Sequence, residues 1–211
     1  MVQTDLLRFT ELCDQLLEEM EVARSPMLSY FQPGISRRIV DDILVKNYVK
    51  LTVPEEVYLL YQWRNGLKDD VVNSKDSGEV ELFRLATFTS LNISIQNYQG
   101  AYLHGHRWFK GLFPLFDNGL GNFYLIDTNQ SSDTYKMIMF YSPSNPLIEN
   151  CVVSIFDSLE TCLTTVAECY RKKAYYYIPG SPYLAIDSQL EMSIWGNNNP
   201  NSEYYKILKD S

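Results

Sequence analysis

Positive charge is scarce in this 211-residue sequence, in which 18 Lys and Arg residues stand against 26 Asp and Glu residues for a net charge of -8. Binding to a nucleic-acid backbone needs a concentrated basic patch. The one three-residue basic run, Arg171-Lys172-Lys173, falls in the last turn of a predicted helix, where it complements the helix dipole. We therefore expect no nucleic-acid partner. The acidic excess favours a cationic protein partner, although it also serves solubility.

Cysteine is sparse and follows no recognised spacing. The four residues, Cys13, Cys151, Cys162 and Cys169, contain no CxxC pair, which argues against a zinc site and favours a reducing compartment. A GxSxG nucleophile elbow and a complete dinucleotide-binding glycine pattern are also absent. The sequence therefore predicts a protein that is not an enzyme and uses no metal or cofactor.

Only two histidines are present, His104 and His106. On a strand, residues two apart face the same side and could hold a metal together with Asp117 or Asp127. The same pair could serve an unrecognised hydrolase. A loop that leads into Trp108 explains both histidines without a metal, and we keep this simpler interpretation.

Long apolar segments are missing as well. No run of 18 apolar residues occurs, so a transmembrane helix is not expected. The first twenty residues carry acidic side chains and no uninterrupted apolar stretch, which differs from a signal peptide. These two features predict a cytoplasmic protein that does not enter a membrane.

The first third of the chain predicts helices. Apolar residues recur at helical spacing over residues 5–23, which indicates an amphipathic helix. Ser36 is placed to cap a short second helix. Pro54 opens a third helix at its first position, and Asn65-Gly66 supplies the left-handed torsions at its end.

The middle of the chain predicts a sheet. Residues 67–78 are polar and predict an exposed loop, and residues 80–85 predict a strand. The residues from 87 to 102 favour a helix. The period then changes to that of short strands with short connections, which favours antiparallel neighbours. These strands are predicted at residues 112–116, 122–127, 136–141 and 151–156, the first two joined by a turn at 117–121.

A helix capped by Ser158 and a further helix over residues 185–195 follow the strands. Helices first, an antiparallel meander in the middle and a helix after it define an α+β fold. We expect a central, mostly antiparallel sheet flanked by helices, with an added N-terminal helix and a C-terminal extension.

Tyrosine is abundant, with 16 Tyr beside 10 Phe. The tyrosines concentrate late in the chain, at Tyr175-Tyr176-Tyr177 and Tyr204-Tyr205. Tyrosine brings a large rigid contact area with a polar tip, which suits a protein interface. It covers the rim of a sheet equally well, and the sequence leaves both interpretations open.

Three segments form a recognisable pattern in this order and spacing: VPEEVYLLYQWRNG at residues 53–66, LFPLFDNGLGNFYLID at 112–127, and VVSIFDSLETCL at 152–163. Together they resemble the SUKH superfamily, the Smi/Knr-type proteins that include fungal cell-wall regulators and many bacterial toxin-immunity proteins. The resemblance implies an α+β domain that binds proteins without catalysis. In bacterial members the implied partner is a toxin, often a nuclease, whose active face the immunity protein covers.

The resemblance divides the chain into an N-terminal helix and linker at residues 1–33, a SUKH-like α+β domain at 34–173, and an extension at 174–211 packed on the same domain. The chain departs from the family pattern in its two ends and in lacking a second glycine after Gly66. Only structural matches transfer from the family, and these are Pro54, Asn65, Gly66, Gly119, Gly121 and Asp127.

We expect a cytoplasmic immunity protein that neutralises a basic toxin by occlusion. A regulatory or scaffolding protein with several weak cytoplasmic partners is the alternative. Because a nuclease must itself be basic to hold phosphate, acidic residues are the predicted contacts. The predicted partner-binding residues are Asp69, Asp70, Asp76 and Glu79, with Tyr175 and Tyr176 as aromatic anchors.

Overall fold

The computed structural model describes residues 3–47, 49–103, 111–148 and 151–210. Eight α-helices lie within these ranges: α1 Gln3–Val22, α2 Arg37–Lys46, α3 Glu55–Trp63, α4 Asp69–Ser74, α5 Leu91–Leu103, α6 Leu159–Arg171, α7 Ser188–Asn198 and α8 Glu203–Asp210.

Nine strands in the same part of the chain form three antiparallel sheets. The strands are β1 Phe31–Pro33, β2 Arg64–Leu67, β3 Thr87–Phe88, β4 Leu112–Asp117, β5 Phe123–Asp127, β6 Ile138–Tyr141, β7 Val152–Phe156, β8 Tyr175–Tyr177 and β9 Leu184–Ile186. The central sheet has the order β3-β4-β5-β6-β7, and β1-β2 and β8-β9 form small pairs. The predicted α+β class with an antiparallel central sheet is confirmed.

The hairpin of β4 and β5 forms where the sequence predicts it, because its turn is stabilised by side chains. The Asn118 Oδ1 atom accepts hydrogen bonds from the backbone N–H groups of Leu120 at 2.9 Å and Asn122 at 3.0 Å. Gly119 and Gly121 take φ values of 66° and 94°, which glycine adopts without steric cost. The turn therefore has a defined shape on the surface.

Aromatic residues of the central sheet, among them Phe116 and Tyr124, pack around Phe83. The ring of Phe83 lies 5.2 Å from Phe116 and 5.0 Å from Tyr124, both in edge-to-face contact. The buried Tyr124 and Tyr170 hydroxyls donate to backbone carbonyls of Arg84 and Leu82. Much of the aromatic content therefore serves the core.

The N-terminal helix packs on α6 through an apolar stripe. Phe9, Cys13, Leu16 and Met20 of α1 are buried, and their spacing of three to four residues places them on one face. The predicted amphipathic helix is confirmed. On α6, Ser158 and Thr161 form a reciprocal capping box, which confirms the predicted start of that helix.

Two predictions for the stretch before the central sheet are wrong. Residues 67–78 contain α4, and a 3₁₀ helix follows at Ser77–Glu79. The six residues of α4 make fewer than two turns, too few for an apolar period to show. In place of a strand at residues 80–85, residues 83–86 form a tight turn in which Leu85 has a φ of 55°, with an isolated bridge from Phe83 to Ala86.

The ends of α3 differ from the prediction by small shifts. Pro54 stands in the extended N-cap position, one residue before the helix begins. The helix ends at Trp63, and Asn65 and Gly66 lie in β2, which pairs with β1. Gly66 still takes a left-handed φ of 67°. Glycine is therefore needed here because the backbone of β2 takes a left-handed torsion at Gly66, and not because a helix ends there.

The C-terminal extension packs on the rest of the chain. The predicted helix at residues 185–195 is present as α7, which packs on α6, whereas α8 was not predicted and packs on β7. Arg84 joins the extension to the core by donating through Nε to the buried Glu191 carboxylate at 2.7 Å. The Tyr175 hydroxyl donates to the other carboxylate oxygen at 2.6 Å.

Candidate functional site

Four predicted contact residues form a surface that we call the acidic edge, made of Asp69, Asp70, Asp76 and Glu79. Asp69 and Asp70 occupy the first turn of α4, where carboxylates complement the helix dipole. Asp76 precedes the 3₁₀ helix that contains Glu79. Asp70 and Asp76 are exposed, and Asp69 and Glu79 are partly buried. The structure therefore places all four within one short surface segment.

The charges of the acidic edge are only partly balanced. Lys75 pairs with Glu79 at 2.9 Å and lies 5.4 Å from the centre of the Tyr30 ring. Within the described ranges, no cationic side chain lies within 4.0 Å of Asp69, Asp70 or Asp76. The edge therefore carries a net negative charge.

The hairpin of β8 and β9 continues this surface. Tyr176 is 41% exposed, and Ile178 and Tyr183 are 54% and 46% exposed. Tyr176 pairs with Ala185 in the β8-β9 register, and Ile178 and Tyr183 lie just beyond the strand ends, each two residues from that pair. We call Tyr176, Ile178 and Tyr183 the hairpin face.

A direct contact joins the hairpin face to the acidic edge. The Tyr183 hydroxyl donates to Asp76 Oδ2 at 3.1 Å, and this hydrogen bond raises the pKa of the Tyr183 phenol. The Tyr183 ring also packs on Gly78, where an added Cβ would lie 3.2 Å from Cδ1 of the ring. Apolar and acidic groups thus form one continuous surface.

Tyr175 does not belong to this surface, and its prediction as an anchor is corrected. Its side chain is fully buried and donates to Glu191, because alternate residues of β8 point to opposite faces. Tyr176 takes the exposed position. Sequence reasoning missed Ile178 and Tyr183, although the alternation of a strand beginning at Tyr175 would have placed Ile178 beside Tyr176.

A pocket that we call the Asp117 groove opens beside the acidic edge, with a volume of about 340 Å³. One wall comes from α4 and the 3₁₀ helix, and the other comes from the β4-β5 turn. Residues from the first wall are Val72, Lys75, Asp76, Ser77 and Val80, and those from the sheet and its turn are Thr87, Asp117, Asn118, Gly119 and Leu120. The groove brings the acidic edge next to the predicted family match Gly119.

Glu81 contributes a charge that depends on pH. Burial raises the pKa of Glu81 to about 7, and the neighbouring Arg84 opposes this shift. The charges that act on its carboxyl are those of Arg84 and Glu191, so this pH-dependent charge belongs to the contact between the core and the C-terminal extension.

The remaining family matches serve the backbone. The Asn65 side chain accepts from the N–H of Leu91 at 3.1 Å at the start of α5. Asp127 accepts from the N–H of Asn129 and from the Thr134 hydroxyl, which closes the loop after β5. Asp127 lies at the end of β5 away from Gly119 and Gly121. These contacts give Asn65 and Asp127 structural roles.

Histidines, metal-binding clusters and free thiols are the groups that an active centre in this chain could use. His104 and His106, like Trp108, lie outside the described residues. In the described ranges no group of three or more His, Cys, Asp or Glu side chains could hold a metal ion. Burial raises the pKa of the Cys13, Cys162 and Cys169 thiols, which keeps them protonated and unreactive.

No helix in the described ranges is both long and apolar enough to cross a bilayer.

The described chain forms an α+β domain in which the acidic edge contacts the hairpin face through Asp76 and Tyr183. The model of the SMI1 / KNR4 family (SUKH-1) matches residues 45–165, which is more than half of the chain. The chain therefore belongs to the SMI1 / KNR4 family (SUKH-1), which includes toxin-immunity proteins and is generally non-catalytic. Among the curated proteins, none matches the chain significantly.

The matched residues contain the acidic edge and the Asp117 groove, whereas the hairpin face lies beyond them. The candidate surface is therefore composite. The family domain supplies the charged part, and the extension supplies Tyr176, Ile178 and Tyr183.

Proposed function

We propose that this protein is a cytoplasmic immunity protein that neutralises a cationic toxin, such as a nuclease, by covering its active face. The observation that carries the proposal is the continuity of the acidic edge with the hairpin face, made by the hydrogen bond from Tyr183 to Asp76. This arrangement offers an electrostatic and an apolar contribution to the same partner.

The two parts of the surface contribute differently to binding. Exposed carboxylates accelerate the encounter with a basic protein and discriminate against acidic competitors. Tyrosine side chains supply rigid contact area once the partner is in place. A nuclease suits such a surface, because its own active face must be basic to hold a phosphate backbone.

The protein acts in this proposal without transforming a substrate and without a metal or cofactor. Neutralisation then depends only on affinity and on the surface that is covered. Immunity requires one tight partner, whereas a scaffolding role requires several weak partners, so the number and affinity of captured proteins separate the two functions.

Charge reversal of the acidic edge tests the proposal. The partner is first identified by affinity capture from the native cell with mass spectrometry, and its association with the purified protein is then measured at several salt concentrations. We expect the double variant Asp70→Lys and Asp76→Lys to associate about tenfold more slowly at low salt, because steering of a basic partner is lost. Its dependence on salt should become weaker.

The matched control carries the same change of net charge elsewhere. Asp42 on α2 and Asp133 in the loop between β5 and β6 are both exposed, and their replacement by lysine should alter the association rate much less. An acidic-edge variant that associates at the wild-type rate with unchanged salt dependence would remove this surface from the interface.

A further inference from the structure

Asp117 is a buried carboxylate that has neutral partners only. Its side chain is 8% exposed and lines the Asp117 groove. Oδ2 accepts from Nδ2 of Asn97 at 2.6 Å, and Oδ1 accepts from the N–H of Gly119 at 3.0 Å. Within the part of the chain that the structure describes, no cation lies within 4.0 Å of it.

A carboxylate can accept about four hydrogen bonds, so Asp117 retains capacity for a further donor. Burial raises the pKa of Asp117, which reflects the cost of keeping its charge away from water. A cation that entered the groove would offset this cost and would gain a charge-assisted hydrogen bond.

The cation already in the groove is engaged elsewhere. The Lys75 ammonium is bound to Glu79 at 2.9 Å and lies 5.4 Å from the centre of the Tyr30 ring. The hydrogen bond to Glu79 raises the pKa of Lys75. Asp76 contributes a second carboxylate to the lining, and one of its oxygens accepts from Tyr183. The groove therefore presents acidic acceptors that no cation of the described chain occupies.

Apolar groups complete the lining. Val72 and Val80 lie on one wall, and Leu120 lies on the rim with 77% of its side chain exposed. An arginine or lysine side chain buries its aliphatic stem on such surfaces while its charged end reaches a polar partner. Asn118 holds the turn through two hydrogen bonds, so the rim keeps its shape in the free protein.

We propose that the Asp117 groove receives one arginine side chain of the basic partner, with its guanidinium on Asp117 and Asp76 and its stem against Leu120. This inference rests on the proposed function and names the contact that it uses. Arginine fits better than lysine, because a planar fork of donors can engage two carboxylates at once and is less strongly hydrated. Arginine is also enriched at protein interfaces, where it acts as an anchor in pockets.

The test uses the complete chain and a small probe, N-acetyl-arginine-methylamide, followed by the amide chemical shifts of the protein in a titration. The neutral isostere N-acetyl-citrulline-methylamide is the matched control ligand. We expect saturable shifts at Gly119, Leu120 and Asp76 with the arginine probe and about tenfold weaker binding of the citrulline probe, because the charge-assisted hydrogen bonds are lost.

Two pairs of variants locate the binding. Asp117→Asn should weaken the arginine probe about tenfold, and Asp70→Asn, which lies outside the groove lining, should leave it within about twofold. Leu120→Lys should also weaken it about tenfold by placing a cation on the exposed rim, while Leu147→Lys at another exposed leucine should not. The Leu120 pair decides the question if Asp117→Asn does not fold.

Equal binding of the two probes, or full affinity in Leu120→Lys, would overturn the inference. The assay needs no partner, so its result is separate from the proposed function. Capture of a basic partner whose affinity is the same for Leu120→Lys and the wild type would refute the arginine contact alone. Specific probe binding without any basic partner would refute the proposed function alone.

Discussion

Replacing Gly66 with alanine is expected to destabilise the fold by about 3 to 5 kcal/mol. A Cβ at this position would stand 2.4 Å from the carbonyl carbon of Thr89 and 2.5 Å from the backbone nitrogen of Ser90. Thr89 is fully buried, and its hydroxyl is bonded to Leu115 O and to Ser94. The obstructing atoms are therefore backbone atoms of a fixed segment that cannot move aside cheaply.

Gly119 provides the matched control. It has a φ of 66°, against 67° for Gly66, and nothing lies within 4 Å of an added Cβ. Gly119→Ala should cost only the left-handed backbone energy, about 1 kcal/mol. Urea unfolding followed by circular dichroism gives both free energies. Equal losses of unfolding free energy in the two variants would contradict the close approach of Gly66 to the backbone of Thr89.

Truncation of Glu191 is the second large effect, and we expect Glu191→Ala to lower the free energy of unfolding by about 3 kcal/mol. The Glu191 side chain is 3% exposed and accepts from Arg84 Nε at 2.7 Å and from the Tyr175 hydroxyl at 2.6 Å. Removing the carboxylate leaves a partly buried guanidinium and a fully buried phenol without their acceptor. The free-energy cost of leaving these groups unpaired exceeds the net stabilisation that their hydrogen bonds provide.

A double-mutant cycle with Arg84→Ala separates the ion pair from the Tyr175 hydrogen bond, and thermal or urea unfolding supplies the four free energies. Asp42→Ala is the control. Its pair with Arg38 is 3.9 Å long and exposed, so its loss should cost at most about 0.5 kcal/mol. If Glu191→Ala is as stable as Asp42→Ala, the buried contact does not fasten the extension to the core.

Elements with strong local signals were predictable from the sequence. The turn at residues 117–121 was predictable because its determinants are local. Its glycines take the positive φ values, and the Asn118 side chain accepts hydrogen bonds from the backbone of the turn. The start of α6 was visible because Ser158 and Thr161 cap it within one turn. The charged segment with Asp69, Asp70 and Asp76 was visible because these residues are close in sequence, and its role in binding stays a prediction.

Features that depend on distant contacts were not predictable. The strand expected at residues 80–85 has suitable apolar residues, but Leu82 and Phe83 are buried by packing against other elements and not by strand pairing. Tyr175 and Tyr176 are the same residue type, and only the orientation of β8 relative to the core decides which of them is exposed. The bond between Tyr183 and Asp76 joins residues 107 positions apart, which no local pattern reports.

In the proposed function, the acidic edge and the hairpin face together cover a basic protein partner. Hydrogen–deuterium exchange of the chain, alone and saturated with the partner captured from the native cell, tests it most directly. We predict slower exchange on binding at amides of α4, the 3₁₀ helix at Ser77–Glu79 and the hairpin of β8 and β9, with no change on α2. Protection confined to α2 or another surface, with unchanged exchange across α4 and the hairpin, would contradict the account.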